Sequence, residues 1–205
     1  MSGRAGSPGI RNISRVILTG FMGAGKTTVG ALLAQRLGWD FADSDALVEA
    51  GAAMPVAEIF ARRGEAAFRD LEGEAVRDAC RRERLVLALG GGALERASTR
   101  TLLRELPGTR LVFLDAPLEV LVARCGAEAS GPVRPVLRDR ERLEERWRTR
   151  LPWYRQAHLT VDTREAAPEA VVERIVAQLE AGDGDEMGRE NDAVICEQAK
   201  PGGRA

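Results

Sequence analysis

With 205 residues, 44% of them hydrophobic, the chain has the size and composition of one globular domain with short tails. Its 30 basic and 31 acidic residues leave a formal net charge of -1, which supplies no overall basic footprint for nucleic acid. No stretch approaches the roughly 18 consecutive apolar residues of a membrane span, and the opening MSGRAGSPGIRNIS lacks an apolar secretory core. A cytoplasmic protein is therefore expected, with neither nucleic acid nor membrane as partner. Cys80, Cys125 and Cys196 are odd in number and scattered, a pattern that argues against a disulfide framework or a zinc site.

Taken in chain order, residues 1–13, rich in Gly, Ser and Arg, read as a flexible tail. RVILTG (15–20) is the first of five short apolar runs that read as strands. The others are FADSD (41–45), RLVLALG (84–90), TRLVFLD (109–115) and HLTVD (158–162). Most are continuously apolar, as strands buried on both faces are, and this predicts a parallel sheet. Helical spacing fills the gaps: Val29, Leu32, Leu33 and Leu37 share a face, and Gly38 supplies a stop. Pro117 and Pro168 stand near the first turns of LEVLVARC and EAVVERIVAQLE, where a missing backbone N–H costs nothing. Strands alternating with helices imply right-handed crossovers, with ligands gathering at the carboxyl ends of the strands. From Ala181 onward periodicity fades, so 181–205 read as a disordered tail and 14–180 as the domain.

Between the first strand and first helix lies GFMGAGKTT, which matches G-x-x-x-x-G-K-[ST] at Gly20, Gly25, Lys26 and Thr27. Glycines let successive N–H groups, through Gly23, Ala24 and Gly25 to Thr28, converge on phosphate oxygens. Lys26 reaches the β- and γ-phosphates, and the Thr27 hydroxyl can hold Mg²⁺. Lys26 is also the one lysine of the predicted domain, the other being Lys200 in the tail. The nucleotide expected here is ATP with Mg²⁺.

Further along come DSD (43–45), FRDLEGE (68–74), LGGGA (89–93), RPVL (134–137) and RLPWY (150–154). In this order behind the phosphate loop they resemble the shikimate kinase family over roughly residues 14–180. The resemblance implies a three-layer P-loop α/β fold of the nucleoside monophosphate kinase type, with a five-stranded parallel sheet and a mobile lid at about 125–138. It implies transfer of the ATP γ-phosphate to the 3-hydroxyl of shikimate, a step of aromatic amino acid biosynthesis; a monomer is expected.

Carried over residue by residue, Asp43 joins Thr27 in holding Mg²⁺, through water, and Asp45 orients the attacking hydroxyl. Arg69 and Arg150 bind the acceptor carboxylate, Phe68 borders its ring, and Gly90, Gly91 and Gly92 bring backbone close to it. Lys26, Asp45 and Arg134 are the catalytic set, with Arg134 swinging onto the transferring phosphoryl group and Arg124 packing near adenine. Two features depart from the family pattern. Nine residues separate Arg124 from Arg134, a longer lid than usual, and Ala166 stands where the adenine-side loop often has a basic residue.

Read from residues alone, several of these keep a plainer alternative. Asp43 and Asp45 could begin a helix, any arginine in so arginine-rich a chain could be a surface ion pair, and three glycines could be a flexible turn. His158 is read as structural, Trp39 and Trp147 as packing residues, and RDRERLEERWRTR as a solvated helix laced with ion pairs. Two rival functions share the phosphate loop: a kinase for gluconate or a nucleotide, and a nucleotide-dependent switch without catalysis. The first does not account for the combined acceptor segments, and the second does not account for a full set of acceptor and lid residues.

Overall fold

Apolar runs bounded by glycine and charge form the strands of a five-stranded sheet, all parallel, in the order β2-β3-β1-β4-β5. These are β1 (Arg15–Thr19), β2 (Asp40–Asp43), β3 (Leu85–Ala88), β4 (Thr109–Asp115) and β5 (Leu159–Asp162) in a computed structural model. It describes residues 10, 12–127 and 139–197, with backbone alone for 127 and 183–197. Every residue of β1 and β3 is buried, with Val16 beside Val86 and Ile17 beside Leu87, as a central parallel pair covered on both faces requires.

Among the described residues seven α-helices accompany the strands: α1 (Lys26–Leu37), α2 (Ser44–Ala52), α3 (Val56–Ala79), α4 (Ala97–Glu105), α5 (Leu118–Ala127), α6 (Arg140–Tyr154) and, after the last strand, α7 (Pro168–Glu197). From β1 the chain moves outward across β3 to β2, whereas from β3 it moves the other way to β4. Right-handed crossovers therefore place α1 on one face and α4 on the other. α7 packs beside α1, and α4 lies against β4 and α3, completing three layers. The reversal of direction lies between β1 and β3, so the loops leaving these neighbouring strands open side by side at the carboxyl edge.

Gly38 ends α1 as its sequence position predicts, at φ 67 with its N–H on the carbonyls of Ala34 and Gln35. Differences from the sequence reading fall at element ends. β2 stops at Asp43, and Ser44 and Asp45 already belong to α2, because the Asp43 carboxylate accepts the Asp45 N–H at 3.0 Å and caps the helix. RLPWY is part of α6, with Pro152 inside it. α7 continues as helix past residue 180, where the sequence reading starts a tail, since no proline interrupts it before Pro201. Among the described side chains of α7 the last buried one is Leu179.

The main core fills both faces of the sheet, and a smaller cluster of Val48, Ile59 and Phe68 joins α2 to α3. Within α3 the helical dihedrals break at Gly64, φ 78 and ψ 172, a conformation open to glycine. The segment after this break carries Phe68, Arg69 and Glu72. His158 has a structural place: its Nδ1 accepts the Leu111 N–H at 2.8 Å and its own N–H bonds the Leu111 carbonyl at 2.9 Å. Trp39 and Trp147 pack half-buried against the core. Among the described residues no helix is long and apolar enough to cross a membrane.

Candidate active site

β1 delivers the chain into a loop that three left-handed or near-mirror glycines shape: Gly20 (φ 145), Gly23 (φ 76) and Gly25 (φ 83). At Gly23 a Cβ would strike the Leu121 carbonyl and lie 2.9 Å from Cys125 Sγ, so α5 backs the loop and a side chain is excluded on two grounds. The helix that follows has no side-chain cap and no acidic residue in its first turn. Its orphan N–H groups and positive dipole end therefore face the loop uncompensated, which suits an anion. The Lys26 ammonium folds over the loop, donating to the carbonyls of Gly20 at 2.9 Å and Phe21 at 3.0 Å. Thr28 is exposed one residue beyond Thr27.

Thr27 Oγ1 donates to Asp43 Oδ2 at 2.9 Å, while Asp43 Oδ1 takes the Asp45 N–H. A hydroxyl and a carboxylate in contact are hard oxygen donors of the kind Mg²⁺ takes sparingly alongside water and phosphate. The residues present thus fit the ion that the phosphate loop implies.

A second set of groups gathers where β2 and β3 end. Gly90 gives its N–H to the buried Ser44 Oγ at 2.7 Å, pinning the glycine turn to the start of α2. A Cβ at Gly90 would come within 2.5 Å of Asp45 Oδ1 and closer still to Glu72 Oε1, so two carboxyl groups converge on the space a side chain would take. At Gly92 a Cβ would collide with the Arg69 guanidinium. Gly91 lies against the Gly20 carbonyl and the Arg150 guanidinium, 3.8 and 3.5 Å from its ideal Cβ position. This brings the glycine turn up to the phosphate loop.

Both guanidiniums are sheltered. The Arg150 side chain is 8% exposed and its Nε meets Glu95 Oε1 at 2.5 Å. The Arg69 side chain, 15% exposed, holds Glu72 at 2.7 Å and Glu65 at 3.2 Å, with its guanidinium carbon 5.2 Å from the Phe68 ring centre. Glu72 is buried, and burial pushes its carboxyl above the usual carboxylate range, against the pull of Arg69 and with the help of Asp45. Its Oε1 has no hydrogen-bond partner among the described residues. No described residue accepts from the N–H of Gly91 or Gly92. The arrangement offers two sheltered cations, two backbone donors and a carboxylate beside a phosphate loop, which suits an anionic, hydroxylated acceptor of a phosphoryl group.

Residues 22–180 match the family model described as "Shikimate kinase". The chain belongs to the shikimate kinase family. It is 44% identical over 170 residues to a shikimate kinase of Nitratidesulfovibrio vulgaris, which covers 82% of this chain and 96% of that protein. Among solved structures it is similar to shikimate kinase from Acinetobacter baumannii in complex with shikimate, at TM-score 0.76 and 33% identity over 83% of this chain and 94% of that one. A gluconokinase from Sinorhizobium meliloti shares the fold at TM-score 0.54 and 20% identity. The chain is accordingly an ATP-dependent kinase of three-layer P-loop α/β architecture.

Against this shikimate kinase pattern, the structure brings Lys26, Thr27 and Asp43 together on one side and Asp45, Arg69, Gly90, Gly91, Gly92 and Arg150 on the other. Phe68 is next to Arg69 yet 3% exposed, its ring 4.6 Å from that of Phe60 in the small α2–α3 cluster. Arg124 binds the loop after β5, donating to Thr163 Oγ1 at 3.2 Å and to the carbonyls of Thr163 and Arg164. Ala166 packs half-buried against the core. Arg134 and most of the lid segment lie outside the described residues. Four neighbours were missed by sequence reading: Ser44, Glu72, Glu95 and Tyr154. Glu72 had a signal, three residues after Arg69 on one helix face, and Tyr154 had one, four after Arg150. Ser44 and Glu95 had none.

Proposed function

We propose that this family member transfers the γ-phosphoryl group of Mg·ATP to the 3-hydroxyl of shikimate, giving shikimate 3-phosphate. The carrying observation is the adjacency of two half-sites: the Gly20 carbonyl lies 3.8 Å from the ideal Cβ position of Gly91, and Asp43 touches Thr27 with one oxygen and the Asp45 N–H with the other. In support, the A. baumannii relative was solved with shikimate bound.

In this reading Arg69 and Arg150 take the acceptor carboxylate, exchanging part of their pairing with Glu65, Glu72 and Glu95 for it. Gly91 and Gly92 donate backbone N–H groups, Phe68 backs Arg69 from the cluster below, and Asp45 orients the attacking hydroxyl. The loose phosphoryl transition state leaves the hydroxyl proton acidic late, so orientation rather than strong basicity is what Asp45 supplies. Lys26 moves from the loop carbonyls onto the β- and γ-phosphates, which the α1 amino terminus and the loop N–H groups also hold. Mg²⁺, held by Thr27 and through water by Asp43, supplies charge neutralisation when bound. Arg124 and the loop it grips border the adenine. Residues of about 125–138 act as the lid, carrying Arg134 to the transferring group.

The test is ADP release from Mg·ATP by the purified protein with shikimate, gluconate, a nucleoside monophosphate or no acceptor. Release dependent on shikimate alone is expected. Release dependent on gluconate would transfer the acceptor site to another alcohol, and tight ATP binding without turnover on any acceptor would leave a nucleotide-dependent switch.

A further inference from the structure

The glycine turn makes its donors point in a particular direction, and the cause can be followed one peptide at a time. In a planar trans peptide the C=O of one residue and the N–H of the next point opposite ways, so gripping the carbonyl fixes the amide. The Gly90 carbonyl accepts the Ala93 N–H at 3.0 Å, which turns the Gly91 N–H away from the short helical turn at Ala93–Glu95. The Gly91 carbonyl is gripped by a side chain, the Tyr154 hydroxyl. Tyr154 therefore turns the Gly92 N–H to the side of the peptide opposite its own hydroxyl.

The tyrosine is built for this. It is 1% exposed, its ring stacks on Phe113 with centres 5.3 Å apart, and it sits one turn after Arg150 on α6. Burial drives its pKa up, with the nearby Arg150 charge pulling the other way, so the hydroxyl keeps its proton and remains a donor at every physiological pH. A donor bonded to a carbonyl also polarises the peptide, which strengthens the N–H on its far side.

We infer that Tyr154 is a positioning residue for acceptor binding: its hydroxyl holds the Gly91 carbonyl and so aims and strengthens the Gly92 N–H. One turn of α6 thus contributes twice, with Arg150 as a ligand group and Tyr154 as the holder of a backbone ligand group. The inference rests on the proposed acceptor function for its kinetic effect and on the structure alone for its effect on the amide.

Tyr154→Phe keeps the ring and removes the hydroxyl. The expected outcome is a rise of about tenfold in KM for shikimate, the factor one ordinary hydrogen bond gives, with KM for ATP held within about twofold. The Gly92 amide proton, assigned by NMR in the unliganded protein, is expected to move upfield as its peptide loses polarisation. Phe113→Leu serves as the packing control, lowering thermal stability with the hydroxyl retained and shifting neither the ratio of the two KM values nor the Gly92 amide. An unmoved Gly92 amide in Tyr154→Phe overturns the inference, as does a parallel rise of both KM values in that variant. If the wild-type protein does not phosphorylate shikimate, the functional reading fails and the amide shift still decides the structural claim.

Discussion

The phosphate half of the site is written in one stretch, Gly20–Thr28, whereas the acceptor half is gathered from α2, α3, the glycine turn and α6, with Asp45 and Arg150 at its ends in sequence. The first works mainly through local backbone, glycine conformations, orphan N–H groups and a helix dipole, with Lys26 and Thr27 from the same stretch and Asp43 brought in beside them. The second works through side chains whose charges had to be sheltered, so each guanidinium arrives with carboxylates of its own. A local motif that recognises phosphate can be moved between proteins intact. An assembled pocket holds only while the helices carrying its pieces keep their places.

Four substitutions test that contrast. Lys26→Ala removes the one mobile cation of the phosphate loop and is expected to lower kcat/KM about a thousandfold with acceptor affinity nearly kept, as read by ADP release and by shikimate binding without nucleotide. Loss of shikimate binding as well would erase the division between halves. Arg134→Ala is expected to lower kcat about a hundredfold while KM for shikimate stays within a few fold, and turnover at the wild-type rate would remove Arg134 from the mechanism.

Arg69→Ala should raise KM for shikimate about thirtyfold and leave ATP affinity within a few fold, because a buried charge pair loses one member. It should also lower stability in urea by about 1–3 kcal/mol, since Glu72 is left buried without its cation. An equal loss of both ligands would make Arg69 a structural residue.

The smallest effect is expected from Glu72→Gln. Glu72 has a raised pKa in the fold, chiefly through burial, so below its ordinary value folded and unfolded chains are both protonated and no dependence arises. As pH climbs from there through the raised value, the folded chain keeps a proton that the unfolded one has lost, and the wild type loses stability. The variant should therefore gain on the wild type in urea denaturation as pH rises from the ordinary glutamate range through the raised value. Stability curves that run parallel across that range would contradict the burial argument.

The same contrast explains what was legible in the sequence. β1 and β3 announce themselves because burial on both faces leaves a continuous apolar run, and Gly38 marks the end of α1 because a left-handed cap is cheap for glycine. The phosphate loop is legible because its chemistry is local. The start of α2 was not, since DSD reads as a strand end with a helix cap as the plainer alternative, and the Asp43 side chain decides it. Arg69 and Arg150 could be placed by resemblance, but Glu95 could not be paired with Arg150 across 55 residues without the fold. Phe68 borders the acceptor ring by resemblance, and its place in the α2–α3 cluster beside Arg69 could be read only from the fold, because the break at Gly64 and the packing of α2 on α3 decide which face it presents.

Asp43 spans the boundary between the halves. One of its oxygens answers to the Thr27 hydroxyl and the other to the first turn of the helix bearing Asp45. In the proposed mechanism a carboxylate with two such obligations couples the two ligands: a pull on it from the nucleotide side reaches the helix bearing Asp45, and by linkage the influence runs back with equal strength. In the proposed mechanism this side chain adds its own coupling between the substrates to whatever closure of the lid provides.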